Sequence, residues 1–221
     1  MTHHDHGSGT DHFDEASKTW DDDPAKLERA RTTAALLRKR LPLTGSERVL
    51  EIGGGTGQLS LNLADAVGSV TVSDVSPGMV QAAAVNIRAA GLADRFTAIQ
   101  LDLARESAPG APFDGAWSQL TWHHVSDAEQ LLRRTREALV PGGWLAVVEL
   151  DTDAAGDFHA HHAEFTGHHG FDRDTFAGQM RTAGFRDVTV EDAGSVEREL
   201  EARGRQLFTM FLAIGYAAGQ S

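Results

Sequence analysis

The residues able to do chemistry fall at four places in the chain. The first is Val49–Leu59, VLEIGGGTGQL, where a short apolar run ends in Glu51 and is followed by Gly53, Gly54, Gly55 and Gly57. Glycine there lets the backbone take φ > 0 and lets a ligand approach the main chain without meeting a Cβ. The G-x-G-x-x-G dinucleotide template, started at Gly53, requires glycine at position 58, where the chain has Gln58. The second place is a pair of strand-ending acids, Asp74 in SVTVSD and Asp102, followed by Leu103, in IQLDL. The third is the tandem His123-His124, whose imidazoles suit proton transfer near neutral pH. The alternative for this pair is that one ring faces the core and the other caps the next helix. The fourth is the crowd His159, His161, His162, His168 and His169, with Asp157 and Glu164 nearby. Such groups can hold a divalent metal, but H-x-H-H followed by H-H matches no defined ligand spacing. No metal ligands are therefore assigned, and a substrate-lining role is expected of this loop.

The elements that position these residues alternate between strand-like and helix-like patterns, which predicts a parallel sheet with helices on both faces. Strands are expected at 48–52, 69–74, 95–101, 113–118, 144–150 and 185–191. Helices are expected at 25–41 after Pro24, 58–67, 77–90, 127–139 and 171–183. Pro141-Gly142-Gly143 is expected to break the chain before the fifth strand, and 151–171 reads as a long functional loop. Gln206–Gly215, QLFTMFLAIG, is nearly continuous in apolar residues, and periodicity alone leaves helix and buried strand both open. Residues 1–12 read as a disordered tail, and 13–221 as a single domain with no internal repeat.

Composition narrows the partners. Hydrophobic residues make up 41% and charged residues 24%, ordinary for a soluble globule. No apolar run is long enough for a membrane span, and the polar, acidic opening is unlike a signal peptide. Cysteine is absent, which excludes disulfides and thiolate chemistry and fits a cytoplasmic setting. A net charge of -12 disfavours a phosphate-tracking face, so no nucleic-acid partner is expected.

The E-x-G-x-G-x-G turn of residues 51–57 resembles the first motif of class I S-adenosylmethionine (SAM)-dependent methyltransferases. The resemblance extends over about residues 13–216. It includes Asp74, Asp102, FDGAWSQLTWHHVSD (113–127), LVPGGWLAVVEL (139–150) and GFDRDTFAGQMRTAGFRDVTVED (170–192), in that order. It implies a Rossmann-like, seven-stranded, mostly parallel sheet of order 3-2-1-4-5-7-6, with Gln206–Gly215 as an antiparallel seventh strand.

It also implies the cofactor SAM, the product S-adenosylhomocysteine, and a set of roles. Gly53, Gly54 and Gly55 would face the methionyl part, and Glu51 would hold the turn or reach the amino group. Asp74 would accept the ribose hydroxyls, Val75 and Met79 would pack on the adenine, and Asp102 with Leu103 would read its edge. Gln119 would offer its backbone to the cofactor. Phe13 and Trp20 belong to a segment that folds over the pocket in related enzymes, so 13–41 is expected to form a helical lid. Arg29 either pairs with the methionyl carboxylate or lies solvated on a helix face. His123 or His124 would act as the catalytic base.

The expected activity is methyl transfer to an O, N or C atom of a small molecule, by a monomer or homodimer. SQLTW stands where amino-methylating nucleic-acid enzymes carry an Asn/Asp-Pro-Pro-Tyr motif. Two other readings stand beside it. One is a SAM-binding regulatory protein without turnover. The other, a nicotinamide-dependent oxidoreductase, is disfavoured by Gln58.

Overall fold

The structure, a computed structural model, describes residues 7–160, 165–200 and 203–219. Among these residues seven strands form one sheet in the order β3-β2-β1-β4-β5-β7-β6. They are β1 (Arg48–Ile52), β2 (Ser69–Asp74), β3 (Phe96–Gln100), β4 (Phe113–Gln119), β5 (Leu139–Leu150), β6 (Phe185–Leu200) and β7 (Gly204–Ala217). Pairing is parallel from β3 through β5, and β7 runs antiparallel to both β5 and β6. The expected sheet order and the antiparallel seventh strand are both present.

Among the described residues six α-helices accompany the sheet: α1 (Gly7–Ala16), α2 (Pro24–Arg40), α3 (Gln58–Leu61), α4 (Pro77–Ala89), α5 (Ala128–Glu137) and α6 (Arg173–Thr182). One face buries Leu37, Leu59 and Ile87 against Val49, Val72 and Val148. The other buries Leu132, Phe176 and Met180 against Leu50, Ala116 and Val147. Alternate residues of β1 and β5 thus feed two cores. That period-2 division of apolar side chains keeps the central strands sealed on both faces.

Four boundaries differ from expectation for identifiable reasons. The tail expected through residue 12 is shortened, because α1 begins at Gly7. Its Asp14 carboxylate accepts from the Gly78 N–H (2.9 Å) and the Ser76 hydroxyl at the start of α4, which fastens the segment to the domain. Residues 1–6 lie outside the described residues. The helix after the glycine turn ends at Leu61, where Asn62 Nδ2 donates to the Gln58 carbonyl (2.7 Å) and the chain continues in tight turns. Pro141-Gly142-Gly143 does interrupt pairing, but as a bulge inside β5, whose partners step from Phe113↔Leu139 to Gly115↔Trp144. Finally, β6 runs on to Leu200, because β7 continues to pair with it beyond the rest of the sheet.

No helix among the described residues is long and apolar enough to cross a membrane.

Candidate active site

A cavity of about 1190 Å³ opens at the carboxyl ends of β1, β2, β3 and β4 and is roofed by residues from α1, α2 and β6. This is the crevice where open α/β sheets bind ligands. Its walls include every residue assigned above to cofactor binding or catalysis. The sheet order brings them together, since β1 lies between β2 and β4.

At one end the wall is main chain. Gly53 and Gly55 have φ of 61° and 54°. A Cβ on Gly53 would lie 2.1 Å from Thr121 Cγ2, and one on Gly54 2.6 Å from Val72 Cγ1. A Cβ on Gly55 would meet nothing closer than Met79 Sδ at 3.8 Å and would project into cavity space. The three glycines therefore serve two purposes, close packing against Thr121 and β2 at the first two and ligand access at the third.

The Asp74 carboxylate accepts from Gly55 N–H and Ser76 N–H, both at 2.9 Å, and the residue lines the cavity. Burial raises its pKa, opposed by those same amide bonds. The N-cap of α4 is Ser76, so Asp74 braces the turn without itself capping the helix. Glu51 is 2% exposed and is held by the Ser60 hydroxyl at 2.5 Å. Burial pushes its pKa up to about 8, partly offset by the bonds from Ser60. Met79 and Leu103 are buried, whereas Val75 is 43% exposed at the rim. Asp102 accepts from the Ala104 N–H (3.1 Å) at the same rim.

Side chains form the opposite end. The ring of His123 is buried, and its Nδ1 meets Glu149 at 2.8 and 3.0 Å. Glu149 also accepts from the backbone N–H of His123 (3.3 Å) and of Leu150 (2.9 Å). A carboxylate so placed fixes the Nδ1–H tautomer and leaves Nε2 as the acceptor. His124 is exposed at the cavity mouth, with its ring 5.0 Å from that of Phe13. Leu120, between these histidines and β4, is held at φ 52°, a costly conformation for a side chain with a Cβ.

His159 is buried in the same wall, its ring centroid 5.0 Å from His123 and stacked on Phe165 at 3.7 Å. Ligand atoms of His123, His124 and His159 lie within 4.8 Å of one another. That upper spread exceeds the edge of about 3.4 Å that Zn–N bonds of about 2.0–2.1 Å require, so the trio as it stands is not a formed metal centre. His168 and His169 take no part in it, and His161 and His162 lie outside the described residues.

Trp20 lines the cavity, with Lys26 Nζ 3.7 Å over its ring. The Gln119 side chain turns away to Thr33 Oγ1 (2.5 Å) and the Arg29 carbonyl.

Several residues went unread in the sequence. Asp21 accepts from Thr56 Oγ1, Gln58 Nε2 and Asn86 Nδ2 at 2.7–2.9 Å, tying the segment around Trp20 to the glycine turn. Asp14, Thr121, Phe158 and Arg198 likewise left no local signal. Glu149 did leave one, as a lone acid inside the apolar run LAVVEL.

Residues 49–143 match the family model described as a methyltransferase domain. The chain is 35% identical over 131 residues to 27-O-demethylrifamycin SV methyltransferase of Amycolatopsis mediterranei, covering 58% of this chain and 48% of that protein. It is 32% identical over 146 residues to the S-adenosyl-L-methionine-dependent Diels-Alderase iccD of Talaromyces variabilis, covering 65% and 50%. A solved candidate methyltransferase of Bacillus halodurans superposes with a TM-score of 0.71 at 14% identity, over 84% of this chain and 99% of that one. The chain spans about half the length of the curated relatives it matches.

Residues 49–143 thus carry a methyltransferase-domain match, within a sheet whose order is the one expected of class I enzymes that use SAM. The residues fit that cofactor. An open main-chain cradle at Gly55, a buried carboxylate at Asp74 and apolar walls at Met79 and Leu103 border one cavity.

Proposed function

We propose that this protein transfers the methyl group of SAM to an oxygen, nitrogen or carbon atom of a small molecule, with His123 as general base. One observation carries the reading: a single cavity has the glycine turn and Asp74 at one end and the Glu149-held imidazole of His123 at the other.

When bound, SAM supplies a methyl already activated on a sulfonium, so the protein's task is alignment, exclusion of water and proton removal. Asp74 is suited to the ribose hydroxyls, and the Gly53–Gly55 main chain to the methionyl part. Val75 and Met79 are suited to the adenine face, and Asp102 and Leu103 to its edge. Gln119, its side chain committed to α2, has its backbone left to offer. Arg29, half-buried in the wall, suits the methionyl carboxylate. Trp20 and Phe13 shield the pocket from solvent.

At the acceptor end, His123 Nε2 takes the proton of an O–H or N–H nucleophile. Glu149 stabilises the imidazolium that forms, as a carboxylate does in hydrolytic triads. His124, at the mouth, contacts the acceptor and borders its entry.

A second reading has one support, the relative named as a SAM-dependent Diels-Alderase: the same cavity could hold SAM while promoting a cyclisation. Two experiments separate the readings. Calorimetric titration should give micromolar binding of S-adenosylhomocysteine and none of NADH. A small-molecule screen with methyl-labelled SAM should then move label to an acceptor. Failure of S-adenosylhomocysteine to bind would end both readings, and binding without label transfer to any acceptor class would favour the second.

A further inference from the structure

Four cations, Lys26, Arg29, Arg105 and Arg198, line the cavity of a chain whose net charge is -12, and Arg105 lies against Asp102. Several arginines elsewhere find carboxylates. Arg38 holds Asp65, Arg173 holds Asp151 and Asp192, and Arg205 lies against Glu199. Among the described residues, neither Arg29 nor Arg198 forms an ion pair, and Arg198 Nε is a buried donor without an acceptor. Both are half-buried. Burial first, and then the Arg198 charge, pushes Arg29 down to about 10. Burial also lowers Arg198. The acid acting on both is Asp23, whose side chain caps α2 through the Ala25 N–H.

An unpaired buried charge is costly, and two within each other's field cost more. Such a pair is retained where a ligand anion completes it. The methionyl carboxylate of the cofactor can satisfy one guanidinium, and Arg29 on α2 is the candidate above. Arg198 lies toward the other end. It comes from β6, and its guanidinium sits 4.5 Å over the ring of Phe158. That ring is itself 6.2 Å from His123 and 4.8 Å from His159. Through Phe158, Arg198 adjoins the wall that carries His123 and His159.

We propose that Arg198, backed by Phe158, forms an oxyanion subsite for the methyl acceptor, so that the acceptor is an acidic small molecule bearing a carboxylate. The subsite rests on the methyl-transfer reading for its placement relative to His123. The Phe158 ring under the guanidinium holds it flat and leaves its N–H edge for a two-pronged grip on a carboxylate. The group gripped is separate from the atom methylated, and it orients that atom toward His123.

The test uses full-length protein saturated with S-adenosylhomocysteine and a panel of hydroxy acids, each matched with its neutral amide, followed by ligand-observed NMR. The acids should bind about tenfold more tightly than their amides, as a charge-assisted bond predicts. The preference should weaken as salt is raised. Arg198→Gln should abolish it and Arg198→Lys should retain part of it, with S-adenosylhomocysteine affinity within about twofold of wild type in both. Arg198→Met, with unchanged melting temperature and cofactor affinity, guards against a folding defect. Acids and amides scoring alike in the wild type, including both silent, would overturn the subsite, as would a preference that survives Arg198→Gln. Failure of the wild type to bind S-adenosylhomocysteine would instead strike the methyl-transfer reading.

Discussion

The two ends of the cavity are built from different materials. The end bordered by β1, β2 and β3 is made of main chain, with a glycine turn whose Cβ space at Gly53 and Gly54 is already filled by Thr121 and Val72, and a carboxylate pinned by two amides. The end bordered by His123, Phe158 and Arg198 is made of side chains carried on two 3-10 turns and an extended hairpin. The first end tolerates little change because backbone atoms meet backbone and buried atoms. The second can be rebuilt by substitution. Such a division suits an invariant cofactor and an acceptor particular to each enzyme.

Substitutions at the two ends should therefore separate binding from turnover. The largest effect is expected at His123. His123→Ala should lower turnover by about 10²–10⁴-fold, the range of a lost general base, while S-adenosylhomocysteine affinity stays unchanged. Glu149→Gln should do the same to a lesser degree and alter the pH profile. Loss of cofactor affinity in His123→Ala would erase the division.

Next in size is Asp74→Ala, which should weaken S-adenosylhomocysteine binding by about tenfold or more, for charge-assisted bonds worth about 1.5–3 kcal/mol each. Calorimetry reads it directly, and an unchanged affinity would remove Asp74 from the cofactor end. Arg29→Gln should cost cofactor affinity several-fold, more at low than at high salt, whereas affinity for S-adenosylhomocysteine should not respond to Arg198→Gln.

The last effect is a slope in stability. Folded Glu51 keeps its proton up to about pH 8, whereas the unfolded chain releases it near 4.5. The folded state thus binds more protons between those values, and stability should fall as pH rises from 4.5 to 8 and then level off. Urea unfolding across that range should show the decline, and Glu51→Gln should flatten it. An identical slope in the variant would place the titrating group elsewhere.

Legibility followed the same division. The glycine turn, Asp74 and Asp102 sit at strand ends in a fixed order, so local sequence reports them. The central strands were legible because burial on both faces leaves near-continuous apolar runs such as LAVVEL. The second half of β6, DAGSVEREL, was not. It is charged and projects beyond the sheet, so its strand character comes from pairing with β7 alone. Arg198 was hidden for that reason, and Asp21 because its three partners lie 35–65 residues away. The choice between helix and strand for Gln206–Gly215 was settled by partners on both sides, information that no window of sequence contains.

The hairpin that delivers Arg198 slips register between Asp192 and Ser195. Side chains alternate faces along a strand, so a one-residue slip sends every later residue to the opposite face. Deleting or adding one residue at that irregularity would turn Arg198 out to solvent and bring Glu197 or Glu199 into the cavity wall, with no point substitution near the cofactor. A single indel would then reverse the charge offered to the acceptor, giving descendants of this gene an abrupt route to cationic substrates.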